Sequence, residues 1–360
     1  MNNIIIKTGI PYQVIMEEDS LEKVGFFASD ITEPCRICII SDDNVHSLYT
    51  PLVESSLKNA GFDVYKIVFP AGEATKDLGS VKKILEYLAD ENFTRSDVLM
   101  ALGGGVIGDL TGFAASVFLR GIKYINVPTS FLAAADSSVG GKTGVNLSAG
   151  KNLAGTFWQP SLVIYDPKTV KTLSPASFLD GLAESIKCAF IADASLFGFI
   201  DLSDMNNETK FVERCVTDSV KVKQFFVEND EYDKGRRQLL NFGHTAGHAI
   251  EKLSGFRESH GHAVAQGMVI AARASYNKGW SREDCCSPLI EVLNKYGLSS
   301  SCSYSAAELA AAALKDKNSV NPVNPVQLLL SVKSPRCRRG QQGSNQRAID
   351  HPDPGIAGQR

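Results

Sequence analysis

The chain has 360 residues, 44% of them hydrophobic, and a formal net charge of −3 from 37 basic and 40 acidic side chains. That length and apolar content suffice for two domains, and the slight acidity argues against nucleic acid or an anionic membrane surface as a main partner. No apolar run approaches the roughly 20 residues of a membrane span, and Met1-Asn-Asn-Ile-Ile-Ile-Lys7 lacks the basic start and apolar core of a secretory signal, so a cytoplasmic location is expected.

Strands are expected at 36–41, 63–68, 97–102 and 122–127, alternating with helices at 44–60, 77–91 and 109–117. Short β-rich runs separated by helical segments describe a parallel α/β sheet. Asp42 closes the first of these strands, at the sheet edge where ligands gather in open α/β folds, and an acid there can accept from ribose hydroxyls. Cys35-Arg-Ile-Cys38 has C-x-x-C spacing, but strand alternation sends the two thiols to opposite faces. Eight scattered cysteines make no secreted disulfide framework, and most are expected to be reduced core residues.

The run Asp97-Val-Leu-Met-Ala-Leu-Gly-Gly-Gly-Val-Ile-Gly-Asp109 carries the strongest signal. An apolar strand ends in a glycine turn that opens a helix, and Gly103, Gly105 and Gly108 fit G-x-G-x-x-G. Missing side chains let backbone N–H groups approach phosphate oxygens at the positive end of a helix. The usual fingerprint has an acid about 20 residues later, whereas here the next strand ends in Asn126-Val-Pro-Thr129, so a variant nucleotide fold is expected. The segment Asp136-Ser-Ser-Val-Gly-Gly-Lys-Thr-Gly-Val-Asn146, with Lys151-Asn152, adds glycines, a carboxylate and two lysines in a loop. It resembles a P-loop, but Asp136 stands where that motif needs glycine, and ATP hydrolysis becomes a minor alternative.

Beyond about Pro175 strands become scarce and helices are expected at 177–190, 211–228, 245–253, 263–279 and 306–317. The chain thus divides into 1–172 (nucleotide-type α/β), 173–320 (all-α) and a tail, 321–360. Glu184 and Lys187 lie three apart on one helical face, a spacing that suits a metal carboxylate beside an anion-binding lysine or a plain surface ion pair. Four of the six histidines fall between His244 and His262. His244 and His248 are one helical turn apart, as two ligands of one metal or as a ligand and a proton carrier would be. Thr245 replaces the general-base Glu of H-E-x-x-H, which removes support for peptide hydrolysis. Residues 331–360 hold six basic and two acidic groups among Gly, Gln and Pro, a composition that favours disorder.

Several ordered motifs together resemble the 3-dehydroquinate synthase family of sugar phosphate cyclases, over roughly residues 10–318. They are Pro70-Ala-Gly-Glu-Ala-Thr-Lys76, the 103–109 turn, Arg120-Gly121, Pro128-Thr-Ser130, 136–144, Gly181-Leu-Ala-Glu184 and Asn241-Phe-Gly-His-Thr-Ala-Gly-His248. The resemblance implies a Rossmann-like N-terminal domain joined to an all-α metal-binding domain. It also implies a phosphorus–oxygen lyase of the shikimate pathway that turns 3-deoxy-D-arabino-heptulosonate 7-phosphate into 3-dehydroquinate. Zinc, with cobalt as an alternative, would be held by Glu184, His244 and His260, with His248 beside the substrate as a proton carrier. NAD would be met by Asp42, Glu73, Lys76, Gly104, Gly105, Asp109, Thr129, Ser130, Asp136, Lys142, Lys151, Thr172 and Leu173. The substrate, an acidic sugar phosphate, would be met by Asp136, Lys142, Asn152, Lys187, Lys223, Arg237, Asn241 and Lys317, and Arg120 would reach across a homodimer interface.

The chain departs from the family at two points: His260-Gly-His262 stands where the family reads His-Gly-Glu, and Asp316-Lys-Asn318 where it reads Asp-Lys-Lys. Other members of the same resemblance are a cyclase for a different sugar, a metal-dependent glycerol or alcohol dehydrogenase, and an inactive scaffold relative. Because the tail breaks the pattern of the preceding helices, truncation after about residue 333 is expected to leave the thermal unfolding midpoint unchanged. A large fall in that midpoint would show that the tail packs on the body.

Overall fold

A computed structural model of the chain describes residues 2–192, 208–281 and 283–314; Lys317 and the 321–360 tail lie outside the described residues. The strands are β1 (Asn2–Ile6), β2 (Tyr12–Met16), β3 (Arg36–Asp42), β4 (Asp63–Phe69), β5 (Val98–Gly103), β6 (Lys123–Pro128), β7 (Lys142–Leu147), β8 (Gly150–Phe157) and β9 (Leu162–Tyr165). Seven of them form one sheet in the order β1-β2-β9-β6-β5-β3-β4, parallel throughout except for the antiparallel pair β1–β2. β5 is buried at every position, as a strand covered on both faces requires.

Helices cover both faces. On one, α1 (Val24–Ser29) and α2 (Asp43–Asn59) bring Phe27, Val53 and Leu57 onto Ile37, Met100 and Ile125. On the other, α3 (Leu78–Asp90) and α4 (Gly105–Val117) bring Ile84, Leu88 and Leu110 onto Cys38, Ile40 and Leu99. Cys38 joins this second layer while Cys35 borders the first, the opposite-face placement expected from alternation; both thiols are free.

The chain leaves β3 for β4 on one side and returns to β5 on the other, so the winding direction reverses between β3 and β5. Ser41 pairs with Leu102, which sets Asp42 and Gly103 side by side at that reversal. Ligands of open α/β sheets bind at such a point. The helix after the glycine turn starts at Gly105, four residues earlier than its apolar periodicity suggests, because the Gly108 N–H already donates to the Gly104 carbonyl at 3.0 Å. The turn is itself the first turn of α4.

Short strands escaped detection: β1, β2 and β9, and the hairpin β7–β8 formed by the segment expected as loop. The pairing of β7 with β8 is irregular between Val145 and Leu147, and such irregularities re-aim side chains; here the affected residue is Asn146.

The second half is α5 (Pro175–Ala192), α6 (Glu208–Asn229), α7 (His244–Leu253), α8 (His260–Asn277), α9 (Cys286–Lys295) and α10 (Ala306–Ala313), with no strand among its described residues. α9 was not among the expected helices; its Pro288 falls in the first turn, where the missing N–H has no intrahelical partner to lose. The helices seat on the β1–β2 edge of the sheet, where Tyr12, Val14 and Met16 share one core with Ile186, Phe211 and Val216. No described helix is long and apolar enough to cross a membrane.

Two contacts fix α7 and α8. Asp180 Oδ1, on α5, accepts from the Ser259 hydroxyl and the Gly261 N–H at 2.7 Å each, capping α8 from a neighbouring helix. α7 and α8 touch backbone to backbone: a Cβ built on Gly267 would lie 2.0 Å from the Gly243 carbonyl oxygen and 2.8 Å from the Gly247 nitrogen. Gly267→Ala is therefore expected to cost about 3 kcal/mol, the upper end for overpacking, read as a lower unfolding midpoint; unchanged stability would mean the two helices part freely.

Candidate active site

Three elements deliver one cluster. Glu184 comes from the middle of α5, His244 opens α7 and His260 opens α8. Glu184 Oε1 lies 3.6 Å from His244 Nε2 and 3.4 Å from His260 Nε2. It is a fully buried carboxylate oxygen with no hydrogen-bond partner, a costly state that calls for a compensating cation. Zinc–ligand distances of about 2.0–2.2 Å put neighbouring tetrahedral donors about 3.3–3.6 Å apart; Glu184 lies at that spacing from both imidazoles, and the three donors all lie within 4.8 Å of one another.

The electrostatics agree. Burial opposes ionisation of Glu184, but Lys187 Nζ in direct contact and the nearby imidazoles hold its pKa below the usual carboxylate range. Burial and the Lys187 cation push the pKa of His244 down to about 3, leaving a neutral imidazole of the kind a metal needs. His260 is pushed the other way, to about 10, because burial is outweighed by Glu184 and Glu251 on its two sides. The negative groups that favour a proton on His260 equally favour a divalent cation.

His248, one turn along α7, packs its ring 5.4 Å from that of His244 and 6.3 Å from that of His260. His262, two positions after His260, points away: its Nδ1 accepts from the Ser299 N–H at 3.3 Å and belongs to neither candidate metal group among the described residues.

Cations and carboxylates surround the cluster in pairs. Lys223, on α6 and buried, contacts Asp136 Oδ1 at 2.8 Å and also donates to the Asp136 carbonyl. Burial pulls the Lys223 pKa down against the pull of Asp136, and it opposes ionisation of Asp136, which Lys223 nonetheless keeps ionised. Lys142 pairs with Asp233 and stays half exposed. Buried Arg237 donates to the Gly140 carbonyl at 2.7 Å and to the Glu231 carbonyl, while its Nε has no partner. Asn241 ends the short helical turn that carries Arg237, just before α7.

At the sheet end, Lys76 Nζ is held at 2.6 Å by both Asp109 of α4 and Asn152 Oδ1 of β8. Asn146 Nδ2 donates to Glu73 Oε1 at 2.7 Å, and its Oδ1 accepts from the Asn152 N–H at 2.8 Å. The two hairpin asparagines thus tie β7 and β8 to the 70–76 segment. Gly104 precedes α4 without any side-chain cap, so the helix presents open amides of the kind that seat phosphate. Ser130 Oγ would be 3.4 Å from a Cβ on Gly104, and Ser137 Oγ 2.9 Å from one on Gly105. Thr129 donates its N–H to the Gly103 carbonyl at 2.9 Å. Asp42 Oδ1 accepts from the Val45 N–H, capping α2. Thr172 meets the Tyr49 hydroxyl at 2.6 Å, and Leu173 is half-buried against the core shared with α5 and α6. Arg120 is exposed after α4, beside exposed Val117 and Leu119.

Glu251 was missed from sequence. It lies 3.5 Å from His260 Nδ1 and 3.6 Å from Lys151 Nζ. A signal was present: on α7 it follows His244 and His248 at i+7 and i+3, on the same face.

A parallel sheet with an open glycine turn at its reversal point, joined to a helical second half, is a fold this chain shares with solved sugar phosphate cyclases. A 2-deoxy-scyllo-inosose synthase solved with carbaglucose-6-phosphate, NAD+ and Co2+ superposes with a TM-score of 0.79 at 27% identity, covering 88% of this chain and 87% of that one. A 2-epi-5-epi-valiolone synthase from Streptomyces hygroscopicus, with NAD+ and Zn2+ bound, shares the fold at a TM-score of 0.78 and 24% identity over 86% and 87% of the two chains. Family models described as 3-dehydroquinate synthase N-terminal and C-terminal match residues 66–180 and 181–319. A 3-dehydroquinate synthase of Streptococcus suis is 42% identical over 311 residues, 85% of this chain and 88% of the relative. The chain belongs to the 3-dehydroquinate synthase family.

Glu184 also carries a consequence for stability. Its removal leaves Lys187, 1% exposed, as a buried cation without its contacting carboxylate, and breaking a buried pair costs about 3–5 kcal/mol. Glu184→Ala is expected to lower the unfolding midpoint of the metal-free protein accordingly, measured in chelator; an unchanged midpoint would mean that Asp136 alone neutralises Lys187.

Proposed function

We propose that this chain is a 3-dehydroquinate synthase acting through the site above. It converts 3-deoxy-D-arabino-heptulosonate 7-phosphate to 3-dehydroquinate and inorganic phosphate by transient oxidation, phosphate elimination, reduction and intramolecular aldol closure. The observation that carries this reading is the buried oxygen of Glu184 facing two imidazole nitrogens, within a chain 42% identical to a curated enzyme of that name. When bound, NAD+ takes up and returns one hydride, and a zinc or cobalt ion polarises the hydroxyl being oxidised.

Glu184, His244 and His260 hold the metal. The amides of Gly104 and Gly105 seat the dinucleotide pyrophosphate, with Asp42, Glu73, Lys76, Asp109, Thr129, Ser130, Lys151, Thr172 and Leu173 around the rest of the cofactor. Lysines and arginine suit a substrate with both a carboxylate and a phosphate, because charge-assisted hydrogen bonds to these groups are strong and directional. Half-exposed Lys142 can exchange Asp233 for a substrate anion. Lys187, fixed by buried Glu184, and Lys223, fixed by part-exposed Asp136, supply cationic walls, while Asp136, Asn152, Arg237, Asn241 and Lys317 complete the pocket. His248 adjoins both ligand imidazoles and is placed to carry a proton to or from the substrate. In a cytoplasmic homodimer Arg120, exposed among apolar neighbours, reaches the partner's site.

Incubation with the heptulosonate phosphate and NAD+ is expected to release phosphate without accumulating NADH; stoichiometric NADH would instead mark a dehydrogenase. His260→Ala is expected to lose both bound metal and turnover, and a variant that kept full zinc and full rate would refute the ligand set.

A further inference from the structure

His260 is held from both sides. Its Nε2 faces Glu184 Oε1 at 3.4 Å, and its Nδ1 faces Glu251 Oε1 at 3.5 Å. Glu251 is not loose: its side chain is 7% exposed, and Lys151 Nζ, from the start of β8, approaches the same Oε1 at 3.6 Å. Lys151 also sits 4.6 Å over the ring of Phe256, whose N–H donates to the Glu251 carbonyl at 2.8 Å. A carboxylate on the distal nitrogen of a ligating histidine fixes its tautomer and ring orientation and raises its donor strength.

We propose that Glu251 is the positioning residue for the metal ligand His260, and that Lys151 anchors Glu251 from the hairpin that carries Lys142 and Asn152. This rests on the assignment of Glu184, His244 and His260 as the metal set. The hairpin and the metal centre are then one mechanical unit, because the hairpin that carries candidate substrate residues also holds the group that orients a metal ligand.

The test is metal binding rather than turnover. Zinc affinity is read by competition with a chromophoric chelator, and the visible absorption of the Co2+-loaded protein reports ligand field. Glu251→Gln, which keeps size and removes charge, is expected to weaken zinc about 10- to 100-fold and to shift the Co2+ bands. Lys151→Met should weaken zinc about two- to fivefold, as for a part-exposed ion pair. Wild-type affinity and an unaltered Co2+ spectrum in Glu251→Gln would overturn the proposal. If that variant fails to fold, Glu251→Asp, which retracts the carboxylate by one methylene, takes its place: weakened zinc and shifted bands support the role of Glu251, and wild-type values of both overturn it. His260→Ala run alongside separates the two levels: lost binding there beside wild-type binding in Glu251→Gln sinks only the role of Glu251. Wild-type binding in His260→Ala would sink the ligand set and this proposal with it. A stoichiometry of two ions per chain would also overturn it, by making Glu251 a ligand with His248 and His260.

Discussion

A single buried carboxylate organises the helical half. Glu184 sits at full burial on α5 with one oxygen on Lys187 and the other turned toward two imidazoles, and an ionised group so placed is tolerable only if positive charge is assembled around it. The surrounding packing serves that assembly. One turn earlier on α5, Asp180 pins the start of α8, which sets where His260 emerges. The glycine contact between α7 and α8 brings His244 and His260 close enough for their rings to sit 5.5 Å apart. A bulkier residue at that contact would push the two helices, and with them these histidines, apart.

The sheet contributes position rather than charge. Its reversal between β3 and β5 puts Asp42 beside the glycine turn, and β6 runs from there into the helical turn that carries Asp136. The chain then forms the β7–β8 hairpin, whose irregular register aims Asn146 at Glu73 while Asn152 takes Lys76. The same hairpin ties to the 70–76 segment through its asparagines and to Glu251 of α7 through Lys151. Asn152 itself adopts a left-handed backbone, φ +52, a conformation asparagine tolerates better than most residues.

How much of this was legible in sequence depends on the range of the interactions involved. The strands 36–41, 63–68, 97–102 and 122–127 and their helices emerged within a residue or two, apart from the early start of α4, because continuous apolar runs and helical periodicity are local signals. The turn at 103–108 and the pairing of His244 with His248 were legible for the same reason. β1, β2 and β9 were not: they are five, five and four residues long, and what makes them strands is the neighbours they pair with. The convergence of Glu184 with histidines from two other helices came from family resemblance, since no spacing within the chain encodes it. His262, which stands where the family reads Glu, is turned by the helix toward Ser299.

Charge pairing around the site bears on selectivity. Lys76, Lys142, Lys151, Lys187 and Lys223 each already have a carboxylate at 3.6 Å or closer. An incoming anion therefore gains only where it can displace or share such a partner, and that depends on exposure. Lys187 is buried together with Glu184, and Lys223 is buried beside part-exposed Asp136, so both contribute a fixed field, strong at short range in a low-dielectric interior. Lys142 is half exposed, so its pair with Asp233 is weak and exchangeable.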